Sequence, residues 1–128
     1  MIEIKGCSKA FGKVQAVRDV SLSMGEREVF GLVGSNGAGK STILRMAAGI
    51  LRPDGGSILV DNEAVYENEK IKEKIFYISD DSYVPQNYTV SDMAEFYRNY
   101  YPTFRMERFY KLVKQFHLDE KRKVHTFS

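Results

Sequence analysis

Apolar and charged positions alternate from the start of the chain. Ile2 and Ile4 are set against Glu3 and Lys5, a period of two that predicts a half-buried strand over residues 2–8. Ala10-Phe11-Gly12-Lys13 reads as a turn carrying an aromatic, followed by Ala16-Val17. Val20-Ser21-Leu22-Ser23 alternates again as a second strand, and Met24-Gly25-Glu26-Arg27 is a turn. The next run, Val29-Phe30-Gly31-Leu32-Val33, is almost wholly apolar, the pattern of a strand buried on both faces. Two alternating strands ahead of a buried one predict an antiparallel flap beside a parallel sheet.

Beyond residue 42 the period changes. Ile43 to Ala48 suits a helix ended by Gly49, and Pro53 cannot continue it. Asp54-Gly55-Gly56 is a tight turn, and Ser57 to Asn62 a further strand that rejoins the flap through an Asp-Asn turn. Glu67 to Lys74 is a solvated helical connection with isoleucines at 71 and 75, and Ile75-Phe76-Tyr77-Ile78-Ser79 is a buried strand. It leads into the polar loop 80–87. Thr89 with Asp92 three residues on starts a helix in capping-box fashion. Met93, Phe96, Tyr97, Tyr100 and Tyr101 then line one helix side until Pro102. That aromatic stripe reads as a packing face in preference to a base-stacking platform. Met106, Phe109, Leu112, Val113 and Phe116 mark a second amphipathic helix, and Lys121-Arg122-Lys123 a solvated basic turn.

Composition adds little to this picture but excludes several classes. In 128 residues, 43% are hydrophobic and 28% charged, a globular mixture. A net charge of +2 does not indicate broad attraction to nucleic acid or an acidic membrane. The single cysteine, Cys7, excludes an internal disulfide and reads as a small buried hydrophobe. No apolar signal-peptide core opens the chain, and the stretch from Met46 to Leu51 is far too short to span a bilayer. The expectation is a cytosolic chain whose membrane role, if any, comes through a partner.

The candidate chemistry lies between the buried strand and the first helix. Gly34-Ser35-Asn36-Gly37-Ala38-Gly39-Lys40-Ser41-Thr42 satisfies G-x-x-x-x-G-K-[ST] in its required strand–loop–helix setting. Glycines let backbone N–H groups wrap a phosphate, and the helix N-terminus adds partial positive charge. Lys40 is placed to reach the outer phosphates, and the Ser41 hydroxyl to ligate Mg²⁺. A flexible Gly/Ser connection explains the glycines but not Lys-Ser-Thr at that register. The loop alone leaves kinases, GTPases and other P-loop proteins open.

The flanking residues narrow the choice. Phe11 to Val17, the loop from Ser35 to Thr42, Leu51 to Ile58 and Thr89-Val90-Ser91-Asp92 stand in order along the chain. With them the sequence resembles the nucleotide-binding domain of ABC (ATP-binding cassette) transporters. The resemblance implies an α/β fold of the P-loop NTPase type, with an antiparallel β flap, an incomplete parallel core sheet and part of a helical subdomain. It divides the single domain into a nucleotide-binding core over 1–88 and helical residues over 89–128. It also implies ATP and Mg²⁺ as cofactors, with Phe11 stacking on adenine and Val17 beside the base or ribose. From the residues alone, an adenine-stacking ring beside the phosphate cradle is the favoured reading of Phe11, and an ordinary core or turn role is the alternative. The implied partners are transmembrane permease subunits and a second copy of the ATPase domain. The implied place is the inner face of the cell membrane.

Two departures qualify the expectation. Where the family usually carries a glutamine reaching Mg²⁺, this chain has Asp80, followed by Asp81 and later Gln86. A carboxylate suits a hard cation, so Asp80 is a candidate metal ligand; a local capping role in the loop is the alternative. Phe127-Ser128 is similar to the first two residues of the family's signature, and the later motifs of a complete domain are not among these residues. The expectation is therefore weak ATP binding without turnover, no catalytic residue among these 128, and an apolar sheet edge that invites self-association. His117 and His125 precede the signature and take no switch role. Two other functions remain: a non-transport ABC ATPase of translation or DNA repair, and a catalytically silent nucleotide-binding module.

Overall fold

The computed structural model describes residues 1–80 and 84–127. Two compact units divide the chain, Met1–Tyr77 and Ile78–Ser128.

The first unit is built on an antiparallel sheet. Strand β1 (Ile2–Phe11) and strand β2 (Val14–Met24) form a hairpin closed by Gly12-Lys13, so Phe11 pairs with Val14 at its tip. The alternation read at residues 2–8 and 20–23 thus belongs to longer strands. The ladder shifts register between Ile4 and Cys7 and again before Lys9. There the Ser21 hydroxyl accepts from the Gly6 N–H at 2.8 Å, and the Ser8 hydroxyl from the Asp19 N–H at 2.9 Å. These side chains take over donors that a regular ladder would have satisfied. After helix α1 (Lys40–Ala47), β3 (Gly55–Val60) returns along the other edge of β1, and β4 (Glu63–Ala64) ends the order β2-β1-β3-β4. Asp61 and Asn62 both adopt positive φ between β3 and β4, the conformation that short hairpins favour. The expected flap is complete.

Helix α1 covers this sheet. Its Met46 is fully buried among Ile4, Cys7, Val17, Ile58, Val60, Val65 and Ile71. Burying one such side chain contributes about 2 kcal/mol. Gly49, at φ +69°, ends the helix as its N–H reaches the Met46 carbonyl at 3.0 Å. The short helix α2 (Glu69–Lys72), capped by Asn68, brings Ile71 to the same core. Cys7 is buried as expected, and burial pushes its thiol pKa up.

The two segments read as buried strands differ from expectation. Among the described residues, neither 29–33 nor 75–79 is a strand. Val33 is 95% and Ile78 76% exposed, although Ile75 packs on the core. Their composition suits a sheet interior, but a strand exists only through its neighbours. In the flap, β1–β2 and β3–β4 are local hairpins and β3 adds to the edge of β1 across α1; a parallel pair likewise needs a crossover between distant segments.

In the second unit, α3 (Val90–Tyr100) starts at Thr89 and stops before Pro102, and α4 (Met106–Gln115) comes next. Rings join them: Tyr97 stacks on Phe104 with centroids 6.5 Å apart, and Phe104 meets Phe109 at 5.9 Å. The aromatic stripe is thus partly a packing face, while Phe96, Tyr100, Leu112 and Phe116 are exposed. A single 3-10 turn, Val124–Thr126, lies near the end. There the Arg122 guanidinium donates to the Thr126 carbonyl at 2.6 Å and lies over the Phe127 ring. Asp81 of the expected polar loop and Ser128 of the signature-like pair lie outside the described residues. No helix among the described residues is long and apolar enough to cross a membrane.

Candidate functional site

The glycine-rich loop runs from Gly34 into α1 and is seated on the hairpin. Gly39 stands at the helix start with φ +87°. A Cβ there would lie 2.2 Å from the Ala16 carbonyl oxygen and 3.2 Å from a Val17 methyl. Only glycine allows both that backbone conformation and that approach. The loop's end is thus fixed by close packing on β2 as well as by its own turn, in which the Ala38 N–H meets the Ser35 carbonyl at 3.2 Å. Ser35, Asn36, Gly37 and Ala38 are exposed, with Gly37 at φ +83°.

Helix α1 begins without a cap. Gly39 has no side chain to offer, and no acidic residue stands in the first turn. Among the described residues the N–H groups of Lys40, Ser41 and Thr42 meet no acceptor, and the first backbone bond is Ile43 N–H to the Gly39 carbonyl at 2.9 Å. Three outward amides at the positive end of a helix form an anion cradle. The Lys40 ammonium curls back over the loop and donates to the carbonyls of Gly34 at 2.6 Å and Ser35 at 2.7 Å. It holds the loop closed around a point charge. Ser41 is exposed at the second helical position, and Thr42 is half-buried.

The remaining expected residues fall in different places. Phe11, at the hairpin tip, is 49% exposed, and the Lys9 ammonium stands 5.8 Å from its ring centroid. Val17 is only 3% exposed and lies in the core beneath Gly39. Its surroundings are those of a support for the loop. Asp80 is an exposed turn residue of the second unit. Among the described residues no cluster of three or more His, Cys, Asp or Glu gathers in a metal-binding arrangement. Within the cradle, Ser41 supplies one hard oxygen, which fits a cation that arrives already bound to phosphate.

Two residues that sequence reasoning passed over stand beside Phe11. Asp54 accepts from the Lys9 ammonium at 2.7 Å and from the Ala10 N–H at 2.8 Å. Those donors hold its carboxyl below the usual aspartate range, the lysine contact foremost. In the sequence Asp54 reads only as a turn residue, and nothing in its spacing from Lys9 announces the pairing.

Known proteins resemble the chain in sequence and in fold. The sequence model of the family described as ABC transporter matches residues 17–128. The ABC transporter ATP-binding protein YtrB of Bacillus subtilis is 34% identical over 128 residues, all of this chain and 44% of that protein. The ribose import ATP-binding protein RbsA of Cereibacter sphaeroides is 50% identical over 64 residues, half of this chain and 13% of that protein. The chain therefore spans less than half the length of the curated relatives it matches. Among solved structures, an ATP-binding subunit of an ABC transporter superposes with TM-score 0.85 and 22% identity, covering 99% of this chain and 55% of the other. The dimeric post-hydrolysis cassette MJ0796, bound to ADP and Pi, gives 0.83 with 22% identity, covering 100% and 63%. At such identities the superpositions speak for the fold: a partial P-loop NTPase of the ABC ATPase type.

Proposed function

Because the chain belongs to the ABC transporter family, we propose that it is the nucleotide-binding front of a transporter's ATP-binding subunit and holds MgATP on the loop from Gly34 to Thr42. The observation that carries this reading is the row of amides at Lys40, Ser41 and Thr42, which point from a helix start that the protein leaves uncapped. These amides and those of Gly37 and Gly39 wrap the inner phosphates. Lys40 exchanges its two carbonyl acceptors for outer phosphate oxygens, a stronger charge-assisted bond. Mg²⁺ supplies neutralisation of phosphate charge, and the Ser41 hydroxyl is the residue that holds it from this side. Phe11 offers adenine a half-exposed ring, and Val17 keeps the loop at its height by packing under Gly39.

The names of the relatives extend the proposal to the whole protein. YtrB and RbsA are ATP-binding proteins of transporters, the latter of ribose import, and MJ0796 is a dimeric cassette. By analogy the complete subunit pairs with a second copy, engages permease subunits at the inner face of the membrane, and couples ATP binding and hydrolysis to transport. Calorimetric titration of MgATP into the wild-type chain and Phe11→Ala tests the base contact. Phe11→Ala is expected to weaken ATP about tenfold while leaving inorganic triphosphate nearly unchanged. Equal loss of both ligands removes the stacking role.

A further inference from the structure

Strand β1 is held on both edges for most of its length, but its last residues are not. On the β3 side the pairing ends where Ser8 faces Gly55. Past that point, among the described residues, Lys9, Ala10 and Phe11 have a strand neighbour only in β2. Asp54, the residue just before β3, fills the gap. Its N–H donates to the Ser8 carbonyl at 2.9 Å. Its carboxylate then accepts from the Ala10 N–H at 2.8 Å and from the Lys9 ammonium at 2.7 Å. One side chain thus continues the ladder that β3 abandons, up to the residue before Phe11. The Lys9 side chain, only 17% exposed, is drawn across so that its ammonium flanks the Phe11 ring. Asp54 is also reached directly from the end of α1, through Gly49 to Pro53. The helix that starts at the phosphate cradle is tied by its far end to the strand that carries the ring.

We propose that Asp54 is a positioning residue for nucleotide recognition: it fixes the tip of the β1–β2 hairpin, and Lys9 beside it, so that Phe11 meets the base of a nucleotide whose phosphates lie on Gly34–Thr42. This rests on the stacking role of Phe11. Ring stacking demands placement, since its favourable offset is lost when the ring wanders. Phosphate binding on the loop draws on none of the groups that Asp54 holds. Loss of Asp54 therefore costs base recognition selectively.

The test compares MgATP with magnesium tripolyphosphate on the wild-type chain, Phe11→Ala, Asp54→Ala and the double variant. Asp54→Ala is expected to weaken ATP about threefold and to leave tripolyphosphate within error, and in the Phe11→Ala background to have no further effect on ATP. Asp54→Asn keeps an acceptor for the Ala10 N–H and loses the charge for Lys9, so its selective loss is smaller. It also serves by the same criterion should Asp54→Ala fail to fold. If Phe11→Ala is selective for ATP but the Asp54 variants weaken both ligands alike, or neither, the positioning role is overturned and the stacking role stands. If Phe11→Ala itself weakens both alike, the two fall together.

Discussion

Helices α1 and α3 begin in opposite ways. At α3 every early amide has an acceptor within the second unit: Val90 N–H meets the Arg122 carbonyl at 3.2 Å, Ser91 N–H the Glu120 carbonyl at 3.0 Å, and Asp92 N–H the Thr89 hydroxyl at 3.1 Å. The Asp92 carboxylate closes the box on the Thr89 N–H at 2.9 Å. At α1 the equivalent amides of Lys40, Ser41 and Thr42 meet none among the described residues, and the capping position is a glycine. Helix α4 also lacks a side-chain cap, but it carries Glu107 in its first turn, where α1 has no acid. The sequence chemistry of a good cap was available, as Thr89 and Asn68 prove. Its omission at α1 leaves a donor set that a phosphate completes. Of the starts of α1, α3 and α4, only that of α1 lacks both a side-chain cap and an acid in its first turn.

The largest expected effect comes from Gly39. Gly39→Ala forces a Cβ to within 2.2 Å of the Ala16 carbonyl at a positive φ. It should destabilise the chain by on the order of 3 kcal/mol in denaturant unfolding and abolish ATP binding. An alanine variant as stable as wild type would mean that the loop does not rest on β2. Next comes Lys40→Ala, expected to weaken MgATP about thirtyfold with stability nearly unchanged, since the carbonyls it releases face solvent. Thr89→Ala sharpens the contrast from the other side. It removes a structural cap and should cost about 1 kcal/mol in unfolding while leaving nucleotide affinity unaltered.

How much of this was legible in the sequence depends on the range of each interaction. Thr89–Asp92, Gly49, Pro102 and the start of α1 after the glycine-rich loop are local signals, read within a few residues, and they stand where expected; the strand read before that loop does not form. The flap's strands were legible because Ile2, Ile4 and Leu22 alternate and short turns join β1 to β2 and β3 to β4. Residues 29–33 and 75–79 carried the composition of buried strands, but burial is supplied by neighbours that their own residues do not encode. Within the candidate site, Lys40 and Ser41 were marked by type and spacing, and Phe11 by the family resemblance. The support was not: Val17 under Gly39 and Asp54 against Lys9 are contacts between distant segments, and Lys9 and Asp54 are 45 positions apart.

The smallest effect concerns pH. Hydrogen bonds from the Thr89 backbone N–H, and then from its hydroxyl, hold the Asp92 carboxyl below its ordinary value. A depressed carboxylate contributes stability that is present above the unfolded-state value of about 3.9 and is lost as pH falls through the lower folded value. Amide-exchange protection at the start of α3 should therefore fade in that acid window, and Asp92→Asn should flatten the profile. Protection that rises with acid would reverse the assignment.

The contrast between the two helix starts is tested most directly by titrating MgATP into the isotopically labelled chain and following backbone amides by NMR. The amides of Gly37, Gly39, Lys40, Ser41 and Thr42 are expected to shift together along one saturable curve, with Val90, Ser91 and Asp92 unmoved. Equal shifts at both helices, or none at Lys40 to Thr42 at millimolar nucleotide, would contradict the account.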